Sequence, residues 1–273
     1  MTFSKIRTIE YQSEKLATDI LAGAWRSAFR GQGIEFEEVR AYQPGDDTRN
    51  IDWNVTARTG SPHIKTFREE RELTLFFIAD HSASTRFGSG HQLKMDLMAE
   101  LIATLSFSAI KNNDNVGLLL FSDQVNKVIS PKKGTRHVLR LIQEVLSAPS
   151  TGKTDLNAAL RYFGHIQQKP CICFLLSDFL SPYRQTDLNL LAKKHDLIAL
   201  HIQDPLENHL PSLGYVTYQD LETKQTLTTN QSGPLPRFDP HSFKKAGISY
   251  IPLMTNEPFI PPLQKFFKER SLH

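Results

Sequence analysis

The chain has 273 residues, 40% of them hydrophobic and 22% charged, which is an ordinary composition for a soluble globular protein with a sizeable core. A formal net charge of only +3, from 32 Lys and Arg against 29 Asp and Glu, gives no support to a nucleic-acid partner. No run approaches the roughly 20 apolar residues that span a bilayer, and the N-terminus lacks the apolar core of a secretory signal, so we expect a cytoplasmic protein without a transmembrane segment.

The first 72 residues predict an N-terminal helix followed by a small β-rich extension. Residues 13–30 carry apolar side chains at helical spacing, with Ser13 as the N-cap and two glycines, Gly31 and Gly33, as the stop. The segment that follows is charged and turn-rich, and Trp53 within it is expected to pack into a core. Short strand patterns cover residues 34–36, 51–53 and 64–67.

Arginines are frequent in this N-terminal region and invite a phosphate or nucleic-acid interpretation. They are Arg26, Arg30, Arg40, Arg49 and Arg58. Acidic residues alternate with them, and an alternating-sign segment favours pairing within the chain. A docking face for a protein partner is the remaining interpretation of this block.

Residues 73–273 alternate strands with helices and predict a doubly wound α/β domain with a mostly parallel sheet. The run LTLFFIAD, residues 73–80, is typical of a strand buried on both faces. Cys171 and Cys173, in a second such run, are interpreted as small buried side chains in a reducing compartment. A polar excursion with a hairpin is expected near residues 204–234. Further strands are predicted at 116–121, 125–130, 171–178, 196–202 and in ISYIPL, and helices near 92–111, 135–147, 155–165, 185–195, 236–246 and 258–269.

The main chemical signal is DHSAST, directly after the first buried strand, where Asp80, Ser82 and Ser84 form an Asp-x-Ser-x-Ser pattern. Ligand sites of open parallel sheets lie beyond the carboxyl ends of the strands, so this loop can aim three oxygens at one point. Thr154, before a predicted helix, and Asp178, at the end of a buried strand, are expected at the same edge. Such hard oxygen donors suit Mg²⁺, with Mn²⁺ or Ca²⁺ as alternatives.

This set resembles the metal-ion-dependent adhesion site of von Willebrand factor A domains, whose fold is Rossmann-like. The resemblance implies that Ser82 and Ser84 bind a divalent ion directly and that Thr154 does so conditionally. It also implies that Asp80 and Asp178 balance the charge, and that an open position accepts a carboxylate from a protein partner. The neighbouring His81 is interpreted as an outward-pointing filler.

The segment before this site is similar to the signature of the bacterial domain-of-unknown-function 58 family, and the similarity extends over about residues 10–220. Family members often occur beside MoxR-type AAA+ ATPases, so the resemblance implies an adaptor that works with such an ATPase in protein assembly or activation. Lys153 departs from the glycine of some relatives and adds positive charge near the proposed ion. The matching elements lie at Gly31 to Phe36, Arg40 to Asp47, Arg49 to Trp53 and Ala57-Arg58.

Four functions remain open from the sequence. The first is a non-enzymatic binding module whose ion bridges to an acidic side chain of a partner. The second is a metal-dependent phosphohydrolase with Asp80 as nucleophile, but the second acid that this chemistry needs is replaced by Ser82. The third is phosphate or nucleic-acid binding through the arginine-rich segment, and an unused structural scaffold is the residual case.

Overall fold

A computed structural model of the chain divides it into two compact units, which are described separately. One consists of Met1–Ala28 with Leu73–His273, and the other of Phe29–Glu72. The sequence grouped the N-terminal helix with the β-rich extension, whereas in the structure the helix belongs to the larger unit. The structure describes residues 2–29, 35–68, 72–90, 92–148, 152–210, 215–219, 221–222, 225–229, 233–234 and 238–272.

The smaller unit is a two-stranded antiparallel hairpin with a helical connection. Strand β1 (Glu35–Ala41) pairs with β2 (His63–Arg68), and the strand expected at 51–53 is reduced to an isolated bridge. Between the strands lie a 3₁₀ turn (Thr48–Asn50) and a helix, α3 (Trp53–Thr59). The first two helices of the chain, α1 (Thr2–Leu16) and α2 (Ala22–Ala28), belong to the larger unit. Gly31 and Gly33, the expected helix stop, lie outside the described residues.

The prediction that Trp53 packs into a core is wrong, because its side chain is 71% exposed. Asp52 accepts hydrogen bonds from the backbone N–H groups of Asn54 and Val55, which is the geometry of a helix N-cap. A helix therefore starts where the sequence predicted a strand, and Trp53 is its first residue.

The strands of the larger unit follow in chain order. They are β3 (Thr74–Asp80), β4 (Asn115–Phe121), β5 (Val125–Lys132), β6 (Ile172–Ser177), β7 (Asp196–Gln203), β8 (His209–Leu210), β9 (Val216–Gln219), β10 (Thr226–Thr229), β11 (Gly233–Pro234) and β12 (Ser249–Met254). The helices that follow α3 are α4 (Lys94–Lys111), α5 (Thr135–Ser147), α6 (Leu156–Ile166), α7 (Gln185–Lys194), α8 (Pro205–Asn208), α9 (His241–Lys245) and α10 (Ile260–Arg270).

Six of these strands form the central sheet in the order β12-β7-β6-β3-β4-β5. All neighbouring pairs are parallel except β4 and β5, which are antiparallel, so the sheet is mostly parallel as predicted. The chain runs outward from β3 to one edge and then from β6 to the other, which makes the β3–β6 boundary the switch point of the sheet. A ligand site is expected beyond the carboxyl ends of these two strands.

Apolar side chains alternate between the two faces of the sheet and bury both. Phe76 contacts Phe163 of α6 on one face, while Phe77 and Phe174 stack on each other. Helices α6, α7 and α9 pack on the first face, and α1, α2, α4, α5 and α10 pack with one another on the second. Five phenylalanines on the central strands or just after them are buried: Phe76, Phe77, Phe121, Phe174 and Phe179.

The N-terminal helix completes the core of the larger unit. It begins at Thr2, well before the expected cap at Ser13, which is buried within the helix. A π-helical turn (Ala17–Leu21) separates α1 from α2. Trp25 of α2 is 1% exposed and packs on the rings of Phe174 and Phe267. The N-terminal helices therefore group with the larger unit.

Cys171 and Cys173 are buried free thiols, as expected for core side chains. Burial raises the pKa of Cys171 to about 12, so that this thiol stays protonated and unreactive at neutral pH. Within the part of the chain that the structure describes, no helix is long and apolar enough to span a membrane.

Replacing the buried tryptophan tests whether the N-terminal helix is part of the core. We expect Trp25→Ala to lower the free energy of unfolding by about 3–5 kcal/mol, because it leaves a large cavity. The indole N–H also donates to Asp114 Oδ2 at 3.1 Å, and this bond is lost. Trp53→Ala is the matched control, with a change within about 0.5 kcal/mol. Equal effects of the two variants in urea unfolding would contradict this assignment.

Candidate metal centre

The Asp80 carboxylate sits at the end of β3, at the switch point, and organises the loop that follows it. Its Oδ1 accepts a hydrogen bond from the backbone N–H of Ser82 at 2.9 Å. This bond starts a 3₁₀ turn (Ala83–Arg86) that brings the next hydroxyl back toward the first. The Oγ atoms of Ser82 and Ser84 are 2.9 Å apart. The first three predicted site residues therefore lie together.

Thr154 reaches the same point from the loop before α6. The backbone N–H of Ala83 donates to the carbonyl of Gly152 at 3.2 Å, which fastens this loop to the Asp80 loop. Gly152 has a φ of +83° and lies close to Asp123, so that a side chain there is disfavoured twice. Thr154 Oγ1 lies 3.3 Å from Asp80 Oδ2.

Asp178 arrives from the third segment, directly after β6. The preceding residue, Ser177, donates its hydroxyl to Asp80 Oδ2 at 3.0 Å and so ties β6 to β3. The Ser84 hydroxyl is near enough to contribute to lowering the pKa of Asp178. The five predicted residues thus lie at one edge of the sheet. Contacts of Asp80 with Ser82 and Thr154 link two of the segments, and the Ser177 bond links the third, which carries Asp178. Ser177 was missed by the sequence reasoning, although its place beside Asp178 at a strand end was a usable signal.

The two carboxylates of the site are buried close together and repel each other, and a bound cation would offset this repulsion. Burial and the neighbouring charge of Asp178 raise the pKa of Asp80 to about 7. Burial also pushes the pKa of Asp178 upward, but the adjacent Lys94 ammonium outweighs it and holds that pKa below its usual value. The site therefore contains one carboxylate with a fixed charge and one that resists ionisation until positive charge is supplied.

Lys94 is the most unexpected residue of the site, since it is a lysine that is only 1% exposed. It is the first residue of α4, and its Nζ lies 2.8 Å from Asp178 Oδ2 and 2.5 Å from Glu207 Oε1. Burial lowers the pKa of Lys94, but the two carboxylates raise this pKa by more than burial lowers it, so the ammonium stays charged. No periodicity in the sequence distinguishes this lysine from a surface one.

The donor set fits a hard divalent ion. Ser82, Ser84 and Thr154 offer hydroxyl oxygens, and Asp80 and Asp178 offer carboxylate oxygens, all from residues that already contact one another. Among the residues that the structure describes, no group of three His, Cys, Asp or Glu is placed to hold an ion. A soft-metal site of the zinc type is therefore not found there.

Three residues beside the site complete its surroundings. His81 is buried, and its Nε2 lies 3.0 Å from the carbonyl of Val145, so the interpretation of an outward-pointing filler is wrong. Thr85 is buried and donates its hydroxyl to the Ser82 carbonyl at 2.8 Å, which braces the loop. Lys153 is exposed.

Comparison with known proteins gives the family of this chain. Residues 38–244 match the sequence model of the family described as "Protein of unknown function DUF58", which is more than half of the chain. The chain belongs to the DUF58 family. A stretch of 222 residues, 80% of this DUF58 chain, is 32% identical to 70% of the uncharacterized protein Rv1480 of Mycobacterium tuberculosis.

Solved structures give the fold of this DUF58 protein. It aligns with BatB of Bacteroides thetaiotaomicron at a TM-score of 0.50 and 12% identity, over 74% of this chain and 100% of BatB. It also aligns with an aerotolerance-related membrane protein of Bacteroides fragilis at a TM-score of 0.51 and 13% identity, over 73% and 98% of the two chains. Together with the strand order, this confirms the doubly wound α/β fold with a mostly parallel sheet that the sequence predicted.

Replacing the buried lysine tests the charge balance of the site. We expect Lys94→Met to lower the free energy of unfolding by about 3 kcal/mol, because two buried carboxylates then lose the ammonium between them. Added Mg²⁺ is expected to restore more stability to this variant than to the wild type, since it supplies positive charge. Lys265→Met, which removes an exposed lysine 3.9 Å from Glu269, is the control and should change stability by less than about 0.5 kcal/mol.

Thermal unfolding of both variants with and without Mg²⁺ measures these effects. A Lys94→Met protein as stable as the wild type, or one indifferent to Mg²⁺, contradicts the proposed balance.

Proposed function

We propose that this DUF58 protein is a divalent-metal-dependent protein-binding module and not an enzyme. The observation that carries the proposal is the meeting of five hard oxygen-bearing side chains from three separate segments at the switch point of the sheet. Asp80 is the common contact of these segments, through hydrogen bonds from Ser82 and Ser177 and a 3.3 Å approach to the Thr154 hydroxyl. Sites of this composition suit Mg²⁺, which we take as the ion, with Mn²⁺ and Ca²⁺ as alternatives.

An acidic side chain is the partner group that the site favours. Lys94 and Glu207 cancel one another in charge, which leaves the two carboxylates of Asp80 and Asp178 against a divalent ion. The loaded site is then close to neutral, and the bound ion supplies Lewis acidity toward an additional carboxylate. In this proposal the hydroxyls of Ser82 and Ser84 hold the ion without adding negative charge.

The family resemblance extends the proposal to a partner and a setting. We infer that the protein is an adaptor for a MoxR-type AAA+ ATPase in the cytoplasm, where it contributes to the assembly or activation of other proteins. Exposed groups of the smaller unit are candidates for the docking face, among them Trp53 and the Arg49 side chain, which is 88% exposed. This finer proposal rests on the resemblance, and the metal site is argued independently of it.

Two alternatives are less well supported by the contacts. A phosphohydrolase with Asp80 as nucleophile needs a second acid in the same loop for general acid work, and that position holds Ser82. Binding of nucleic acid through the arginines needs unpaired guanidinium groups. Arg40 makes a two-point contact with Asp46, and Arg49 is paired with Asp47, so both are engaged within the smaller unit.

Removing the two serine hydroxyls tests the metal-dependent function directly. We expect Ser82→Ala/Ser84→Ala to fold but to lose its stabilisation by Mg²⁺, which in the wild type reaches about 2–3 kcal/mol at a hundredfold excess over the dissociation constant. The control is Ser106→Ala/Ser108→Ala, which removes two buried serines at the same spacing within α4. Thermal unfolding with Mg²⁺ or with EDTA measures the effect. Equal Mg²⁺ stabilisation of the two double variants refutes the site.

Capture of the partner tests the adaptor role. A pull-down with the full chain in Mg²⁺ is expected to retain the AAA+ ATPase, and EDTA or the site double variant is expected to release it. Capture that is unchanged in EDTA would show that the interaction does not use the metal site.

A hydrolysis assay separates the binding module from the enzyme. We expect no metal-dependent hydrolysis of a generic phosphate ester such as p-nitrophenyl phosphate in Mg²⁺ or Mn²⁺. Turnover that requires the metal and disappears in Asp80→Asn would overturn the non-enzymatic proposal, because that substitution removes the nucleophile with little change in shape.

A further inference from the structure

A carboxylate from another part of the chain lies against the candidate metal centre. Glu222 belongs to the turn between β9 and β10, within the polar excursion that interrupts the α/β domain. Its Oε1 accepts a hydrogen bond from Thr154 Oγ1 at 2.8 Å. The family resemblance implies that Thr154 is a conditional metal ligand. An acidic side chain of the protein itself is therefore hydrogen-bonded to a candidate ligand of the ion.

The geometry at Thr154 favours Glu222 over the site's own carboxylate. The hydroxyl carries a single proton, and its distance to Glu222 Oε1 is 2.8 Å against 3.3 Å to Asp80 Oδ2. Glu222 is half-buried, so its carboxylate is partly removed from water. The site also contains the buried carboxylates of Asp80 and Asp178. A third carboxylate near these two costs free energy unless positive charge is present.

We propose that Glu222 is an internal ligand that occupies the partner-facing position of the metal site until an acidic side chain of a partner displaces it. This inference rests on the proposed function, because it assumes an ion held by Asp80, Ser82 and Ser84. A carboxylate is the group that the site is proposed to accept from a partner, and Glu222 supplies the same group within the chain. The free protein is thereby held in a self-bound state with low affinity for other acids.

The hairpin that carries Glu222 is suited to release. Among the described strands, β9 and β10 pair only with each other and make no ladder with the central sheet. A two-stranded hairpin contributes little stability of its own. Displacement of Glu222 therefore leaves the six-stranded sheet and the residues that hold the ion in place.

Bound Mn²⁺ provides the readout, because the enhancement of water-proton relaxation reports the water molecules coordinated to the ion. Compared with the wild type, we expect Glu222→Gln and Glu222→Ala to show a higher enhancement, as water enters the position that the carboxylate leaves. Acetate, used as the carboxylate probe, is expected to reduce the enhancement in these variants at a concentration roughly tenfold lower than in the wild type, since it no longer competes with an internal ligand. Glu269→Gln, which removes an exposed carboxylate from α10, should behave as the wild type.

The outcomes separate this inference from the proposed function. If the wild type binds no Mn²⁺, or binds it equally well after Ser82→Ala/Ser84→Ala, the metal site and the internal ligand fall together. If Mn²⁺ binding depends on those serines but the Glu222 variants match the wild type in relaxation and in acetate response, the internal ligand alone is refuted. Two variants that fold and show the expected changes, with an unchanged Glu269→Gln control, support it.

Discussion

The carboxylate of Asp80 is the interaction on which the whole site depends. It accepts hydrogen bonds from Ser82 and Ser177 and lies 3.3 Å from the Thr154 hydroxyl, so that it contacts three segments that are distant in sequence. Parallel strands place these segments at one edge of the sheet, and the reversal of strand order between β3 and β6 opens the space between them. A buried carboxylate with neutral hydrogen-bond partners remains electrostatically costly, and this cost is what a bound cation removes.

A second constraint is the buried ammonium of Lys94, which fixes the charge of Asp178 while Asp80 stays close to its titration point. An ion pair of this kind rarely adds net stability compared with apolar packing, so its presence points to a role in setting charge. Glu207 shares the same ammonium and links the start of the polar excursion to the site. The excursion thus contacts the site through two carboxylates, Glu207 at Lys94 and Glu222 at Thr154.

Strong local patterns made most of the fold predictable, and tertiary contacts explain the exceptions. The sequence reveals the buried strands β3, β6 and β7 and the strand-end positions of Asp80 and Asp178. An apolar run and the residue that ends it are both local features of the sequence. Trp53 was placed wrongly because the N-cap bonds of Asp52 turn the chain into a helix. Lys94 and Glu222 could not be found, because neither ends a buried strand or belongs to the Asp-x-Ser-x-Ser pattern, and only the tertiary structure brings them to Asp178 and Thr154.

The most direct test of the account is a crystal structure of the full chain grown with Mn²⁺ and measured at a wavelength where manganese scatters anomalously. The account predicts one strong anomalous peak at the carboxyl edge of β3 and β6, within roughly 2.0–2.6 Å of the Ser82 and Ser84 hydroxyl oxygens, the range of hard-cation oxygen ligation. An anomalous map with no peak at this edge, or with manganese bound only elsewhere on the molecule, contradicts it.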